Sequence, residues 1–221
     1  MDIAIVLYDR FTALDAVGPY EVLSRVPGAQ LRFLAVEPGP VRTDNGVLTV
    51  LAEHGLEEMP RPEVIVVPGG PGEVAARAGG RLLEWLRRAH ATSTWTTSVC
   101  TGSLILAAAG LLQGKTATSH WLALGKLAEM GATPSHERVV YDGKIVTAAG
   151  VSAGIDMGLA LASTLAGETV AQAIQLGIEY DPQPPFDSGS PEKAPAEIVE
   201  LLRNASRHQL TDEKEPLAAR G

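Results

Sequence analysis

The sequence predicts an α/β fold with a mostly parallel sheet covered by helices on both faces, and two observations carry that expectation. Short β-branched runs alternate with longer helical patterns along most of the 221 residues, the alternation that builds parallel sheets with crossover helices. The lone cysteine, Cys100, stands where the β-like run Thr94-Trp95-Thr96-Thr97-Ser98-Val99 meets the helix-like run Thr101-Gly102-Ser103-Leu104. Ligand chemistry in such folds gathers at the carboxyl edge of the strands.

Taken in order, residues 2–8 read as a buried strand, and Asp15 to Val26 as a helix with apolar positions at Val17, Val22, Leu23 and Val26. Residues 29–36 supply the next strand. Asp44-Asn45-Gly46, between Val41-Arg42-Thr43 and Val47-Leu48-Thr49-Val50, predicts a hairpin because Asn-Gly accepts positive φ. Val64-Ile65-Val66-Val67 gives a central strand that stops at Pro68-Gly69-Gly70-Pro71-Gly72, and Leu82, Leu83, Trp85, Leu86 and Ala89 then fall at helical spacing. Beyond the Cys100 junction, Thr116-Ala117-Thr118 is a short extended piece and Trp121 to Met130 a helix. Two β-like pieces, 136–141 and 144–148, flank the turn dipeptide Asp142-Gly143, and helices follow at 151–166 and 168–178. Residues 1–210 are expected to form one domain, with a polar tail at 211–221.

Hydrophobic residues make up 45% of the chain, enough for a sizeable core, while a net charge of −8 leaves no basic face for a phosphate backbone. Nucleic acid is not an expected partner. One cysteine makes no intrachain disulfide, and the chain opens directly into Ile3-Ala4-Ile5-Val6-Leu7 without a basic segment or cleavage site, so a cytoplasmic location is expected. The apolar runs are far shorter than the roughly 20 residues a membrane span requires. Histidines 54, 90, 120, 136 and 208 lack metal-ligand spacing, and no metal is expected.

Three segments at strand ends are candidates for chemistry. In Phe11-Thr12-Ala13-Leu14-Asp15, Asp15 either caps the following helix or presents a carboxylate to the cleft. In Pro68-Gly69-Gly70, the glycines either form a plain tight turn or bring backbone N–H groups close to a reacting atom. Cys100 is either a small apolar filler or a nucleophile whose thiolate is favoured by the N–H groups of the adjoining helix. Thr101 offers a hydroxyl to an intermediate or to the helix start.

Together these residues carry a resemblance. Cys100-Thr101-Gly102-Ser103, with Val67-Pro68-Gly69-Gly70-Pro71-Gly72 upstream, Ala117-Thr118-Ser119-His120-Trp121 downstream and Gly150-Val151-Ser152-Ala153-Gly154-Ile155-Asp156 further on, resembles the ThiJ/PfpI superfamily of glutamine-amidotransferase-like domains. Leu14-Asp15-Ala16-Val17-Gly18-Pro19-Tyr20-Glu21 and the strap from Glu179-Tyr180-Asp181 to Ser190-Pro191 are most similar to its isonitrile hydratase (isocyanide hydratase) branch.

The resemblance implies a flavodoxin-like three-layer sandwich with a nucleophile elbow, a homodimer, and a cysteine nucleophile at Cys100 assisted by Asp15 and the Thr101 hydroxyl. It implies a small-molecule isonitrile as substrate and needs no organic cofactor. Many superfamily members place a histidine directly after the cysteine, where this chain has Thr101, which argues against a Cys-His dyad of adjacent residues. His120 is a possible site neighbour, set against a structural role beside Trp121. DNA-reading relatives continue into a helix-turn-helix module, which the residues up to Gly221 do not suggest.

Attack of a Cys100 thiolate on the terminal carbon of R–N≡C would give a thioimidate, with Asp15 moving protons, and N–H groups near Gly69 and Gly70 stabilising charge. Water would then release R–NH–CHO. An amidase or glyoxalase-like enzyme, or a redox sensor or chaperone using a low-pKa thiol, are the alternatives. Within the strap, Phe186 is the one large apolar side chain, and it is expected to wall a pocket or meet a partner subunit rather than face solvent.

Overall fold

The computed structural model describes residues 1–205; the expected boundary at 210 and the tail at 211–221 lie outside the described residues. Its centre is a seven-stranded sheet. The chain contributes β1 (Asp2–Val6), β2 (Gln30–Ala35), β5 (His54–Gly55), β6 (Val64–Val67), β7 (Trp95–Val99), β10 (Val139–Asp142) and β11 (Ile145–Ala148) in the order β10-β11-β7-β6-β1-β2-β5. Every pairing is parallel except β10 with β11. The antiparallel pair is a hairpin formed by the two β-like pieces on either side of Asp142-Gly143, turned at Gly143 with φ 63°. A second hairpin joins β3 (Gly39–Arg42) to β4 (Thr49–Ala52), with Gly46 at φ 74° in its loop, where Asn45-Gly46 leads to that expectation. β8 (Thr116–Ala117) and β9 (Thr133–Pro134) form a short parallel pair.

Helices cover both faces. On one side lie α1 (Ala13–Leu23), α6 (Ala153–Ala166) and α7 (Glu168–Gly177), which pack Ala16, Val22, Leu23, Met157 and Leu161 against Ile3, Ile5, Val64 and Val66. On the other, α3 (Arg81–Thr92), α4 (Gly102–Ala108) and α5 (Leu124–Glu129) bury Trp85, Leu86, Leu104 and Leu127 against Ala4, Val6, Ile65 and Val67. The alternation of β1 and β6 side chains between the two clusters is the period of two in an extended chain. From Ile3 to Val6 and from Val64 to Val67 the strands are apolar at every position because both faces are covered. The result is the three-layer sandwich the sequence predicts.

Boundaries differ from the sequence reading in instructive places. The first helix begins at Ala13, so Asp15 is its third residue and Thr12 holds the N-cap position. The segment 121–130 is a 3₁₀ turn, Trp121–Ala123, followed by α5. Five elements were not anticipated: the short strands β5 and β9, α2 (Glu73–Ala76), a 3₁₀ turn at Leu56–Glu58, and α8 (Ala196–Ala205). The spacing of Ile198, Leu201 and Leu202 marks α8 as amphipathic, but none of its residues is buried within the chain. Phe186 departs from expectation too: 76% of its surface is exposed, because within one chain the middle of the strap has nothing to pack on.

Trp85 has no exposed surface, and its indole N–H donates to the Met59 carbonyl at 3.2 Å. Trp85→Ala should therefore destabilise the fold by about 3–5 kcal/mol, leaving a cavity and an unpaired carbonyl. Urea unfolding checks this, and a loss below about 1 kcal/mol would contradict the packing described.

Candidate active site

The elbow is built by backbone geometry. Cys100 follows the last residue of β7 and precedes α4 with φ 58°, a left-handed conformation costly for a residue with a Cβ. Its N–H donates to the carbonyls of Ala148 at 3.0 Å and Ala149 at 2.9 Å, and its carbonyl accepts from the hydroxyls of Ser119 at 3.0 Å and Ser103 at 3.2 Å. Four partners from three segments thus hold the strained residue in place. Cys100, Asp15 and Thr101 all have 0% exposed surface.

The turn after β6 lies against the elbow. The Gly69 N–H donates to Asp15 Oδ2 at 2.9 Å, and the Gly70 N–H donates to Thr101 Oγ1 at 2.9 Å. These two groups, expected to face a reacting intermediate, are engaged with the acid and the hydroxyl instead. Their work is to orient Asp15 and Thr101. Glycine is required for so close an approach, since a Cβ on Gly69 would lie 2.4 Å from the Thr101 nitrogen. The turn is tied down by the Tyr8 hydroxyl, which donates to the Pro68 carbonyl at 2.8 Å, and by the Thr12 N–H, which donates to the Gly69 carbonyl at 2.8 Å.

The N–H groups that act to lower the thiol's pKa belong to Val151 and Thr101. Val151, at φ 26°, begins the approach to α6 and was not singled out from sequence. The small-residue run Ser152-Ala153-Gly154, which allows that helix to come near Cys100, was the available signal.

Burial pushes the Cys100 thiol well above the ordinary thiol range, and the negative charge of Asp15 pushes it in the same direction. The thiol's hydrogen bond with the Asp15 carboxylate adds to this, and the Val151 and Thr101 N–H groups pull the other way without prevailing. The expectation of a resting thiolate is therefore corrected: desolvation and a neighbouring carboxylate outweigh the start of a short helix. Tyr8 is raised for related reasons, first burial and then the charges of Asp15, Glu73 and Cys100.

Beside the elbow opens a cavity of about 380 Å³. Ser119 and Val151 lie on its inner wall, Trp121 and Leu124 give it an apolar side, and the end of the strap, Gly189 to Glu192, closes another. His120 lines it as well. The His120 Nδ1 accepts the Leu122 N–H at 3.3 Å, the capping role of a structural histidine, while its Cδ2 lies 2.9 Å from the point where a Cβ on Gly150 would stand. His136, which sequence reasoning set aside, is also on the wall. Among the described residues, no cluster of three or more metal-ligating side chains occurs.

Residues 1–164 match the DJ-1/PfpI family. Over 210 residues the chain is 42% identical to the isonitrile hydratase of Pseudomonas putida, covering 95% of this chain and 92% of that one. It is 32% identical over 162 residues to the HTH-type transcriptional regulator CdhR of Pseudomonas aeruginosa, covering 72% of this chain but 48% of the regulator. Among solved structures, a ThiJ/PfpI family protein from Pseudomonas syringae superposes with a TM-score of 0.89 at 39% identity, covering 92% of this chain and 84% of that one.

Two outcomes follow from the raised thiol. In Asp15→Asn a negative charge beside the sulfur is lost, the Cys100 pKa falls, and iodoacetamide should alkylate the variant faster than the native protein at pH 7.5; an unchanged or slower rate would contradict the assigned electrostatics. The thiol stays protonated in the folded chain but ionises in the unfolded chain above about pH 8.5. The unfolded state then binds fewer protons, so stability should fall as pH rises beyond that point, and less steeply in Cys100→Ala. Denaturant midpoints between pH 7 and 10 check the sign.

Proposed function

The chain belongs to the DJ-1/PfpI family, and from that premise we propose that it hydrates isonitriles, R–N≡C + H₂O → R–NH–CHO, with Cys100 as nucleophile and Asp15 as proton carrier. Near full-length similarity to an isonitrile hydratase supports the reaction. The observation that carries the mechanism is the burial of Asp15 and Cys100 together at the elbow, both with no exposed surface, where the carboxylate acts electrostatically on the thiol.

The resting proton sits on sulfur. As the sulfur attacks the terminal isonitrile carbon, that proton passes to Asp15 and from Asp15 to the same carbon, giving the thioimidate R–N=CH–S–Cys100. Asp15 is then ionised again and takes a proton from the attacking water, which adds to the thioimidate carbon. Collapse of the adduct breaks the C–S bond, places protons on nitrogen and sulfur, and releases the formamide. The N–H groups of Val151 and Thr101 stabilise the negative charge that builds on sulfur in each passage.

Thr101 occupies the remaining side. Its oxygen accepts the Gly70 N–H, and the Gly70 carbonyl is 3.5 Å away, too long to hold the hydroxyl proton firmly. That proton can donate to the substrate nitrogen or to the water-derived oxygen. Atoms balance with water alone, and no redox change occurs.

The protonated, buried thiol weighs against the redox-sensor reading, which needs an accessible low-pKa sulfur. A homodimer and a cytoplasmic site of action belong to the same proposal. Exposed Phe186, Leu201 and Leu202 support a partner surface, and no helix among the described residues is long and apolar enough to cross a membrane.

Cys100→Ala should abolish formamide production with the fold retained; near-normal turnover would remove Cys100 from the reaction. Asp15→Asn should lower the rate about 10²–10⁴-fold. Thr101→Val should cost on the order of 10–100-fold, the value of one transition-state hydrogen bond. Formamide yield by chromatography, with far-ultraviolet circular dichroism as the folding control, measures all three. Unchanged kinetics in Asp15→Asn would leave the carboxylate as a structural partner of Gly69.

A further inference from the structure

We propose that Tyr8 is a positioning residue for the Asp15 carboxylate, acting through the one peptide unit that joins Pro68 to Gly69. The proposal rests on the reading of Asp15 as proton carrier and adds the group that keeps it in place. Both ends of that unit are engaged: its carbonyl accepts from the Tyr8 hydroxyl at 2.8 Å, and its N–H donates to Asp15 Oδ2 at 2.9 Å. A peptide is a resonance-coupled plane, so a donor at its oxygen draws electron density away from its nitrogen. The Gly69 N–H is the stronger donor for it. Hydrogen bonds in series reinforce one another in this way where water is excluded, and Pro68, Gly69 and Asp15 are all buried.

The next unit repeats the pattern. The Gly69 carbonyl accepts the Thr12 N–H at 2.8 Å, and the Gly70 N–H donates to Thr101 Oγ1 at 2.9 Å. Two consecutive peptides thus turn their acceptors to the segment between β1 and α1, and their donors to the two side chains that assist Cys100. Thr12 donates from its backbone, whereas Tyr8 donates from its side chain, so residue identity matters only at the first unit. Phenylalanine at position 8 would keep the ring and leave the Pro68 carbonyl without this donor.

The surroundings commit Tyr8 to donating. Desolvation, and then the negative charges of Asp15, Glu73 and Cys100, raise its hydroxyl well above the ordinary phenol range, so the proton stays on at neutral pH. Glu73, at the start of α2, is paired with Arg77 at 2.8 Å and anchors the far side of the turn, its N–H donating to the Gly70 carbonyl at 3.0 Å. Tyr8 is not part of the cavity lining, so its influence reaches the reaction through Asp15.

The test labels proline carbonyls with carbon-13 and glycine nitrogens with nitrogen-15. Only the four Pro-Gly pairs of the chain, at Gly28, Gly39, Gly69 and Gly72, then give carbonyl-correlated amide signals in the magnetic resonance spectrum. The signal that Pro68→Ala removes is Gly69. Its amide proton should move upfield in Tyr8→Phe, as the bond to Asp15 weakens, and downfield when 3-fluorotyrosine, a stronger donor of nearly the same shape, replaces Tyr8. On cyclohexyl isonitrile, Tyr8→Phe should lower kcat about three- to tenfold with KM changed less than about twofold, the value of one neutral hydrogen bond felt in the chemical step. The fluorinated protein should regain the native kcat. An unmoved Gly69 signal in Tyr8→Phe, displacement in the same direction by both replacements, or an unchanged kcat in Tyr8→Phe overturns the proposal. If the native protein forms no formamide while the Gly69 signal moves in the two opposed directions, the hydratase reading falls and the link from Tyr8 to Asp15 stands.

Discussion

A carboxylate and a thiol buried side by side cannot both ionise, and the carboxyl edge of the sheet is organised around that constraint. Two negative charges out of water would repel strongly and lose hydration together. One proton must therefore remain in the pair, and the surroundings decide where. The Gly69 N–H donates to Asp15, which favours the carboxylate, while burial of Cys100 favours the neutral thiol. Burial and the Asp15 charge together keep the thiol protonated. A buried neutral thiol resists adventitious oxidation, and in the proposed mechanism the carboxylate that would receive its proton is already beside it.

The fold supplies the pair at some cost. Cys100 adopts a left-handed backbone conformation worth on the order of 1–3 kcal/mol of strain, held by hydrogen bonds to β11, to the loop after β8 and to α4. The parallel order of β1, β6 and β7 brings three strand ends together, so the segments that follow them meet at one point. α1 delivers Asp15, the turn after β6 delivers two oriented N–H groups, and the elbow delivers the sulfur. Gly102 allows the last approach, since a Cβ there would stand 2.1 Å from the Val67 carbonyl. Tyr8, two residues past the end of β1, ties the middle segment down.

Much of the scaffold is readable from periodicity. Val64–Val67 is apolar at every position because both faces are covered, and the Leu82, Leu83, Trp85, Leu86 and Ala89 spacing gives α3 directly. Local signals fail where a property belongs to the assembled molecule. The direction of the Gly69 and Gly70 N–H groups depends on what α1 and the elbow place in front of them. Whether a helix start makes a thiolate depends on desolvation by neighbours far away in sequence, and so the resting charge of Cys100 could not be read from its flanks. Val151 carries no polar side chain to mark it; only its backbone serves the sulfur. α8 was overlooked behind a proline-rich strap, although Ile198, Leu201 and Leu202 repeat at helical spacing.

The protonation state of the resting sulfur tests the central claim most directly, and a chain with a single cysteine makes it measurable without assignment. Infrared spectra of the substrate-free protein at pH 7.5 should contain an S–H stretching band, displaced by hydrogen bonding to a carboxylate, that moves in Asp15→Asn and vanishes in Cys100→Ala. Absence of that band, together with thiolate absorbance near the protein's ultraviolet edge that Cys100→Ala removes, would mean that the sulfur rests as an anion and that Asp15 does not receive its proton.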